Sequence, residues 1–422
     1  MLYMKVVIIN KSDSTGGAAV VSRRLMEALN ASGVDARMLV AERLTDDSRV
    51  AYASTGLALK AAFIRERLGI FLANGFDRST LFKIDTCADG VDVARHPWVR
   101  QADVVCLNWV NQGMLSLRGI RAIAALGKPI VWTMYDMWNM TGVCHHAGDC
   151  QGFLNHCGDC PLLGRRAGRN DLSARVWRRK KALYGDVPVH FVAVSNWLST
   201  RARESSLMRH ADIRVIPNAF NFDIDEPRPR DCGTLRIIFG AARLDDPIKG
   251  LPILVRATQL VAAARPDLAA RCQLVTFGNV RAAAALSGFG LRHRHLGPLP
   301  VREVREVYES GHIVVSTSLY ETLPGTLVEG QAWGCVPVSL DHGGQGDIIS
   351  HGRTGYLARW SADGDKEKAA RAIAEGLAWA ADKVLTEGDA LRSLMLREAR
   401  GRFSAESVAA AYKALFDEIT GR

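Results

Sequence analysis

The chain has 422 residues, of which 48% are hydrophobic and 23% charged, and its formal net charge is +10. This length predicts two domains, and the composition is that of a globular, soluble protein because no apolar run could span a bilayer. The N-terminal segment MLYMKVVIIN has a strand pattern without the regions of a secretory signal, so we expect a cytoplasmic location.

Apolar, β-rich segments alternate with helical patterns along almost the whole chain. The predicted strands are KVVIIN, ARMLVA, ADVVCLNWV, KPIVWTM and HFVAVS, followed by LRIIFGA, CQLVTFG, HIVVSTS and VPVSL. Continuous apolar strands that alternate with helices are typical of parallel sheets covered on both faces. The sequence therefore predicts an α/β fold with two Rossmann-like, doubly wound domains.

The segment 217–233 is rich in Pro, Asp and Asn and lacks periodicity, which predicts a linker. It separates an N-terminal domain at 1–216 from a C-terminal domain at 234–403. We expect a ligand cleft between the two domains.

Glycine follows the first predicted strand, in SDSTGGAAVV. Gly16 and Gly17 allow close backbone approach, and the next helix points its free N–H groups at this loop. Either a phosphate site or a plain tight turn explains the pair.

The corresponding loop of the second half, AARLDDPIKGL, contains Arg243 and Lys249. A guanidinium fork and a lysine point charge suit a diphosphate. Two solvated surface cations are the alternative.

The stretch HIVVSTSLYETLPGTLVEGQAWGCVPVSL places Glu321 and Glu329 after a buried strand. Pro324 suits the first turn of a helix, which leaves the amides of Gly325 and Thr326 free to face a phosphate. A carboxylate facing such a site needs hydrogen-bond donors, and the paired hydroxyls of a ribose or hexose supply them. These residues predict a nucleotide-sugar pocket.

Several motifs together resemble the retaining glycosyltransferases of family 4, also described as glycosyl transferases group 1. They are YETLPGTLVE with GAARLDDPIKGL before it, VSNWLSTRARES with IPNAFNFDIDEP, and GRFSAESVAAAYKALFDEITG. LNWVNQGML and VWTMYDMWNMTGVCHHAGDC resemble a branch that builds bacterial surface polysaccharides of the colanic-acid type. The resemblance implies a GT-B fold whose C-terminal helix, at about 404–422, returns to the first domain.

The family also implies roles for individual residues. Glu329 would hold the ribose hydroxyls and Glu321 would contact the donor sugar. Arg243 and Lys249 would neutralise the departing diphosphate, while Gly16 and Gly17 would border the phosphates. Catalysis in this family commonly needs no divalent metal.

Two positions differ from that branch, because Asn108-Trp109 and Tyr135-Asp136 stand where His-Trp and His-Asp are usual. Asp136 remains as a candidate acceptor-side base. It could equally cap or orient a loop, since in a retaining reaction the leaving phosphate itself can take the acceptor proton.

Four cysteines are close together in CHHAGDCQGFLNHCGDCPLL, namely Cys144, Cys150, Cys157 and Cys160. Their C-x5-C-x6-C-x2-C spacing predicts a closed, structural zinc site. The rival ligands are His145, His146 and His156, and a disulfide or free thiols are the alternatives.

The segment 164–185 carries eight Arg or Lys residues against one Asp. An anionic membrane surface, reached from the inner face as a peripheral protein, is one interpretation, and a solvated helix is another. No nucleic-acid module accompanies the charges, so we expect no nucleic-acid partner. The apolar segment 59–76 either lies on a membrane or packs inward.

Taken with the resemblance, the sequence predicts a glycosyltransferase that moves a sugar from a nucleotide-diphosphate donor to a saccharide, expected to be lipid-linked. A nucleotide-sugar epimerase of the same fold and a non-catalytic nucleotide-sugar-binding protein are the alternatives.

Overall fold

The computed structural model describes residues 4–222, 230, 233–360 and 364–422. Much of the predicted linker at 217–233, namely 223–229 and 231–232, lies outside these residues. Among the described helices, none has the length and apolarity needed to cross a membrane.

The chain forms two compact units. Unit 1 comprises Met1–Phe220 with Ala405–Arg422, and unit 2 comprises Asn221–Ser404.

Unit 1 is built on a seven-stranded sheet in which neighbouring strands are parallel. Its strands are β1 (Lys5–Ser12), β2 (Asp35–Glu42), β3 (Val50–Tyr52), β4 (Val104–Leu107), β5 (Ile130–Met134), β6 (Val189–Ala193) and β7 (Asp212–Val215). Their order is β3-β2-β1-β4-β5-β6-β7. The inner strands are apolar along their length because helices cover both faces of the sheet.

Helices follow most strands of unit 1. They are α1 (Gly17–Ala31), α2 (Gly56–Ala73), α3 (Pro97–Gln101), α4 (Leu117–Ala124), α5 (Gly152–Asn155), α6 (Leu172–Asp186) and α7 (Asn196–Glu204). Thr55, Ser116, Asp171 and Ser195 cap α2, α4, α6 and α7 with their side chains. The first helix has no such cap, because it follows Gly16.

Unit 2 has a six-stranded parallel sheet. Its strands are β8 (Leu235–Arg243), β9 (Cys272–Asn279), β10 (Arg292–His295), β11 (Ile313–Ser316), β12 (Val336–Asp341) and β13 (Tyr356–Arg359), in the order β10-β9-β8-β11-β12-β13. Its helices are α8 (Leu251–Ala264), α9 (Pro266–Arg271), α10 (Val301–Ser310), α11 (Gly325–Ala332) and α12 (Lys366–Phe403). Helix α12 is kinked at Gly388, where φ is 50°.

The last helix, α13 (Ala405–Thr420), belongs to unit 1. Val408, Tyr412 and Phe416 are buried in the unit 1 core. The hydroxyl of Tyr412 lies 2.9 Å from Oγ1 of Thr133 on β5. The predicted fold class, with two Rossmann-like parallel-sheet domains and a returning C-terminal helix, is confirmed.

Each sheet reverses its winding direction at one point. In unit 1 the reversal lies between β1 and β4, and in unit 2 it lies between β8 and β11. In open parallel sheets, ligands bind beyond the carboxyl ends of the strands at such points. The loops after β8 and β11 are therefore the first place to look for a site in unit 2.

Candidate active site

The loop between β8 and α8 packs tightly against the end of β11. Gly250 adopts φ 64°, and a Cβ placed there would lie 2.1 Å from the backbone oxygen of Thr317. The hydroxyl of Thr317 donates to the Lys249 carbonyl at 2.9 Å, and the Leu319 amide donates to the Ile248 carbonyl at 2.7 Å. Glycine at 250 therefore permits the close approach that places Lys249 beside the β11 loop.

This approach brings together two residues that the sequence suggested separately. Lys249 Nζ lies 2.5 Å from Glu321 Oε1, and the two side chains are 28% and 21% exposed. A charged pair in a partly enclosed position is held by hydrogen bonding as well as by charge. It also presents one cation and one carboxylate at the carboxyl edge of the sheet.

The backbone of Glu321 is held by the glycine-rich loop after β12. Gly344 N–H donates to the Glu321 carbonyl at 2.9 Å. A Cβ on Gly343, whose φ is 150°, would lie 2.2 Å from that same oxygen. The ends of β8, β11 and β12 thus converge on Glu321, and Gly343 allows the contact.

Helix α11 begins beside this carboxylate without a side-chain cap, because Pro324 occupies the N-cap position. Gly325, Thr326 and Glu329 are all partly exposed, whereas Leu327 and Val328 are buried. One face of the first turn therefore presents two backbone amides and a carboxylate. The amides have no intrahelical acceptor and carry the positive end of the helix dipole.

Arg243 is tied to the carboxylates of its own loop. Its Nη2 atom lies 2.9 Å from Asp246 Oδ2, and Nε lies 3.5 Å from Asp245 Oδ1. The guanidinium is about one-third exposed. It lies at the end of β8 as predicted, with part of its charge already countered.

A cavity of about 450 Å³ lies on the α8 side of the same loop. Asp245, Gly250, Leu251 and Leu319 contribute to its wall, whereas Lys249, Glu321 and Glu329 do not. The cavity is therefore distinct from the polar site formed by the ends of β8, β11 and β12.

In unit 1, the predicted glycine loop lies in open space. Gly16 precedes α1 with φ 89°, and a Cβ on Gly16 or on Gly17 would meet nothing within 4 Å. The loop is exposed and α1 starts without a side-chain cap. This arrangement leaves the first amides of α1 available to a ligand.

Asp136 follows β5 and accepts hydrogen bonds from several protein groups. Its Oδ1 accepts from the Trp138 amide at 2.8 Å, and Oδ2 accepts from Trp109 Nε1 at 3.0 Å. Oδ2 also lies 2.7 Å from Nδ1 of His145. Burial alone would raise the pKa of Asp136, but the charge and hydrogen bond of His145 hold it below its usual value.

His145 connects Asp136 to a second carboxylate, because its Nε2 lies 2.8 Å from Asp85 Oδ2. Asp85 in turn is paired with Arg67. Although burial lowers the pKa of His145, the adjacent carboxylates of Asp136 and Asp85 raise it to about 10. The imidazole is thus a cation at neutral pH that holds Asp136 ionised and oriented.

Sequence analysis missed this role, because it considered His145 only as a rival zinc ligand. The signal was the nearby Tyr135-Asp136, because the branch that these motifs resemble usually has histidine in the first position. In the structure, Asn108 Nδ2 donates to Tyr135 Oη at 3.0 Å and to Ser22 Oγ at 2.6 Å. A neutral network therefore occupies the two positions where that branch usually has histidine, and the histidine beside Asp136 comes from the cysteine-rich segment.

The zinc prediction is not supported. Cys144, Cys150, Cys157 and Cys160 line one cavity of about 20 Å³ and are free thiols. Yet no group of three or more His, Cys, Asp or Glu side chains in the described parts of the chain could hold a metal ion. Burial raises the pKa of Cys144 to about 12 and that of Cys157 to about 11, so both are neutral thiols in the metal-free chain.

Comparison with known proteins finds a family model that matches part of this chain and two enzymes that are similar to it. The model for Glycosyl transferases group 1 matches residues 235–378, which contain the whole of the unit 2 site. A D-inositol 3-phosphate glycosyltransferase of Arthrobacter sp. (strain FB24) is 24% identical over 413 residues, which cover 89% of this chain and 90% of that enzyme. An enzyme of the same name from Pseudarthrobacter chlorophenolicus is 29% identical over 154 residues, 35% of this chain, and the match spans only 36% of that enzyme's length.

Among solved structures, the pneumococcal O-GlcNAc transferase GtfA in complex with UDP and GlcNAc has a TM-score of 0.63. The two chains cover each other completely, at 11% identity, and the likeness concerns the fold. The family model therefore matches about a third of the chain, within unit 2, and the structural likeness shows that the whole chain has the same fold.

Proposed function

We propose that the protein is a retaining glycosyltransferase that takes a sugar from a nucleotide-diphosphate donor and passes it to a saccharide acceptor. The observation that carries this proposal is the Lys249–Glu321 pair beside the uncapped start of α11, at the winding reversal of unit 2. Cation, carboxylate and free amides at one sheet edge suit a sugar attached to a diphosphate.

Each group has a role in this proposal. Glu329 binds the ribose hydroxyls, and the amides of Gly325 and Thr326 face the diphosphate. Lys249 and Arg243 counter the charge that builds on the leaving group, which is the interaction that lowers the barrier. Glu321 binds hydroxyls of the donor sugar while Lys249 keeps its charge compensated.

The transfer step needs no strong protein base. The bond between the anomeric carbon and the diphosphate oxygen breaks, and the acceptor oxygen bonds to that carbon on the same face. The acceptor proton passes to the departing diphosphate oxygen. The two cations and the helix amides supply the positive charge, so we propose that catalysis proceeds without a divalent metal.

In unit 1 we propose that Asp136 accepts a hydrogen bond from the acceptor and that Gly16 and Gly17 border the donor phosphates. The low pKa of Asp136 favours orientation of a hydroxyl over removal of its proton. His145 is a positioning residue in this arrangement, because it acts through Asp136.

Several observations support the donor class and the pathway. The family match covers the whole unit 2 site, and a solved protein of this fold was crystallised with UDP and GlcNAc. The resemblance to polysaccharide-building enzymes leads us to propose a lipid-linked acceptor in surface polysaccharide synthesis. A cytoplasmic location, peripheral at the inner face of a membrane through 164–185, fits such an acceptor.

An activity assay tests the proposal. Purified protein is incubated with UDP-, GDP- and ADP-sugars, with and without a lipid-linked saccharide and with a chelator present. We expect acceptor-dependent release of one nucleoside diphosphate and a product with the donor's anomeric configuration by NMR. An altered free sugar made without acceptor would identify an epimerase, and donor binding with neither transfer nor hydrolysis would identify a binding protein.

A further inference from the structure

Unit 1 carries a concentration of exposed apolar side chains on one short segment. Leu57, Ile64, Leu68 and Leu72 on α2 are 84%, 60%, 52% and 53% exposed, and Phe76 just beyond is 60% exposed. The helical positions are seven, four and four residues apart, which places them on one face. The opposite face packs into the protein through Leu59, Ala62 and Ile70.

A helix that is apolar on both faces needs cover on both. The inner face has the core of unit 1. The outer face has Lys60 and Arg65 at its margins, both exposed, although Arg65 is paired with Asp89 at 2.5 Å. An apolar stripe with cations at its margins is the pattern of a helix that lies in the plane of a lipid–water interface.

The end of α2 adds a strained aromatic residue. Phe76 has φ 68°, which is unusual for a bulky side chain. Its amide donates to the Phe71 carbonyl at 2.8 Å, and the rings of Phe71 and Phe76 meet edge to face. The chain therefore holds an exposed phenyl group in a fixed position at the end of the stripe.

The predicted basic segment lies next to this stripe. A Cβ placed on Gly75 would lie 3.3 Å from Cγ of Arg166, so the stem of Arg166 passes beside the end of α2. Beneath the surface, one apolar cluster contains Ile70 of α2, Val176 of α6 and Leu163, which precedes α6 in the chain. The two segments thus form one continuous face, which we call the α2–α6 face.

The exposed cations that 164–185 contributes to this face are not countered by carboxylates. Lys180 is buried and donates to the carbonyls of Trp138 and Thr141, so it does not contribute to the surface. The exposed members of the segment are Arg165, Arg166, Arg169, Arg175, Arg178, Arg179 and Lys181. In the part of the chain that the structure describes, no ion pair joins any of them to an Asp or Glu.

We infer that the α2–α6 face docks on an anionic lipid bilayer, with the α2 stripe and Phe76 inserted among the acyl chains and the cations of 164–185 on the headgroups. Uncountered positive charge beside an apolar stripe complements a surface that is apolar inside and negative outside. The inference deepens the proposed function, because a lipid-linked acceptor is held at such a surface.

Sedimentation with vesicles tests it on the whole 422-residue chain. One set of vesicles contains phosphatidylcholine alone, and the other also contains phosphatidylglycerol. The variants are Ile64→Ser with Leu68→Ser, and Arg165→Gln with Arg166→Gln and Arg169→Gln, all at exposed positions where folding is not at stake. Matched controls in unit 2 are Val301→Ser and Arg294→Gln, which are also exposed.

We expect the unaltered protein to sediment with the anionic vesicles, and added salt to release it. The apolar double variant should lower the partition coefficient about tenfold, and the arginine variant about a hundredfold, at roughly fivefold for each cation removed. The control variants should bind as the unaltered protein does.

Protein that stays in the supernatant with anionic vesicles would overturn the inference, as would variants that bind like the unaltered chain. The unaltered chain could also form a dimer that the double variant Ile64→Ser with Leu68→Ser dissociates, while vesicle binding stays unchanged. That result would show that a second copy of the chain covers the face, and it would also overturn the inference. Nucleoside diphosphate titration of the same samples separates the two proposals. Vesicle binding without nucleotide binding contradicts only the proposed function, and the reverse contradicts only this inference.

Discussion

Single residues at strand ends carry the chemistry of the proposed site. The sequence indicated Lys249 and Glu321 because each follows a predicted strand, and such ends share one edge of a parallel sheet. It could not show that the two side chains pair, because the contact depends on the fit of Gly250 against Thr317. Nor could it show that Asp245 and Asp246 hold Arg243, since loop geometry decides which neighbours a guanidinium meets.

Replacing Lys249 tests the charge role directly. We expect Lys249→Met to lower kcat about a hundredfold, because stabilisation of leaving-group charge is realised mainly in the transition state. KM for the donor should change much less. Lys366→Met, at an exposed lysine of the same unit, is the control in the steady-state assay. If KM instead rose and kcat/KM fell by the same factor, with kcat unchanged, Lys249 would act in ground-state binding of the donor.

The role of His145 beside Asp136 could not be predicted from the sequence. It lies nine residues after Asp136 in an irregular segment, and only tertiary folding turns its ring between Asp136 and Asp85. The four cysteines around it suggested a metal, whereas the structure gives His145 two carboxylate partners. Spacing alone does not distinguish these outcomes.

The His145 pair has a pH signature. Its folded pKa of about 10 lies above the unfolded value of about 6.5, so its stabilisation is complete below pH 6.5 and is lost as pH rises through 10. We expect His145→Gln to lower the free energy of unfolding by about 3 kcal/mol near pH 6. The deficit relative to the unaltered protein should shrink towards pH 10 in thermal unfolding followed across this range. His210→Gln, an exposed histidine of unit 1, should show no such trend, and a deficit for His145→Gln independent of pH would refute the charged pair.

At the level of secondary-structure elements, the sequence predicted the inner strands of both sheets and missed the edges. The missed strands are β3, β7, β10 and β13, which are the outermost strands of the two sheets. Edge strands are short and contact the core on fewer sides, so their sequences carry no apolar run longer than three residues. RHRH in β10 and DIRV in β7 illustrate this, because most of their residues are exposed.

The β8–α8 loop gives a prediction with a matched control. We expect Gly250→Ala to destabilise unit 2 by about 3 kcal/mol and to weaken nucleotide binding, because the new Cβ would meet the Thr317 carbonyl at 2.1 Å. Gly352→Ala has a similar positive φ of 77° but open space around the Cβ. It should cost only about 1 kcal/mol, the backbone penalty alone. Comparable stability and affinity in the two variants, measured by denaturant titration and calorimetry, would show that the close approach is unimportant.

For the molecule as a whole, the fold class followed from composition and strand pattern, and the return of α13 followed from resemblance. Its structural basis is a buried face of Val408, Tyr412 and Phe416 in the core of unit 1. Because this helix follows unit 2 in the chain, unit 1 is completed only after unit 2 has been synthesised.

Phe416→Ala tests whether the folding of unit 1 depends on α13. Loss of a fully buried ring should destabilise unit 1 by about 3–5 kcal/mol, because a cavity replaces its contacts. Nucleotide binding, which we place in unit 2, should persist under conditions where unit 1 remains folded. Asp417→Ala, the exposed neighbour, is the control. Unchanged unfolding of unit 1 in Phe416→Ala would mean that α13 is not part of its core.

Nucleotide binding is the most direct test of the proposed donor site. Calorimetric titration with UDP, GDP and ADP, chelator present, measures it on the unaltered protein and on Glu329→Ala, with the exposed Glu303→Ala as control. We predict selective binding of one nucleotide, weakened about ten- to a hundredfold in Glu329→Ala because hydrogen bonds to a charged group are lost, and unchanged in the control. No binding of any of the three, or equal affinity in Glu329→Ala, would contradict the site.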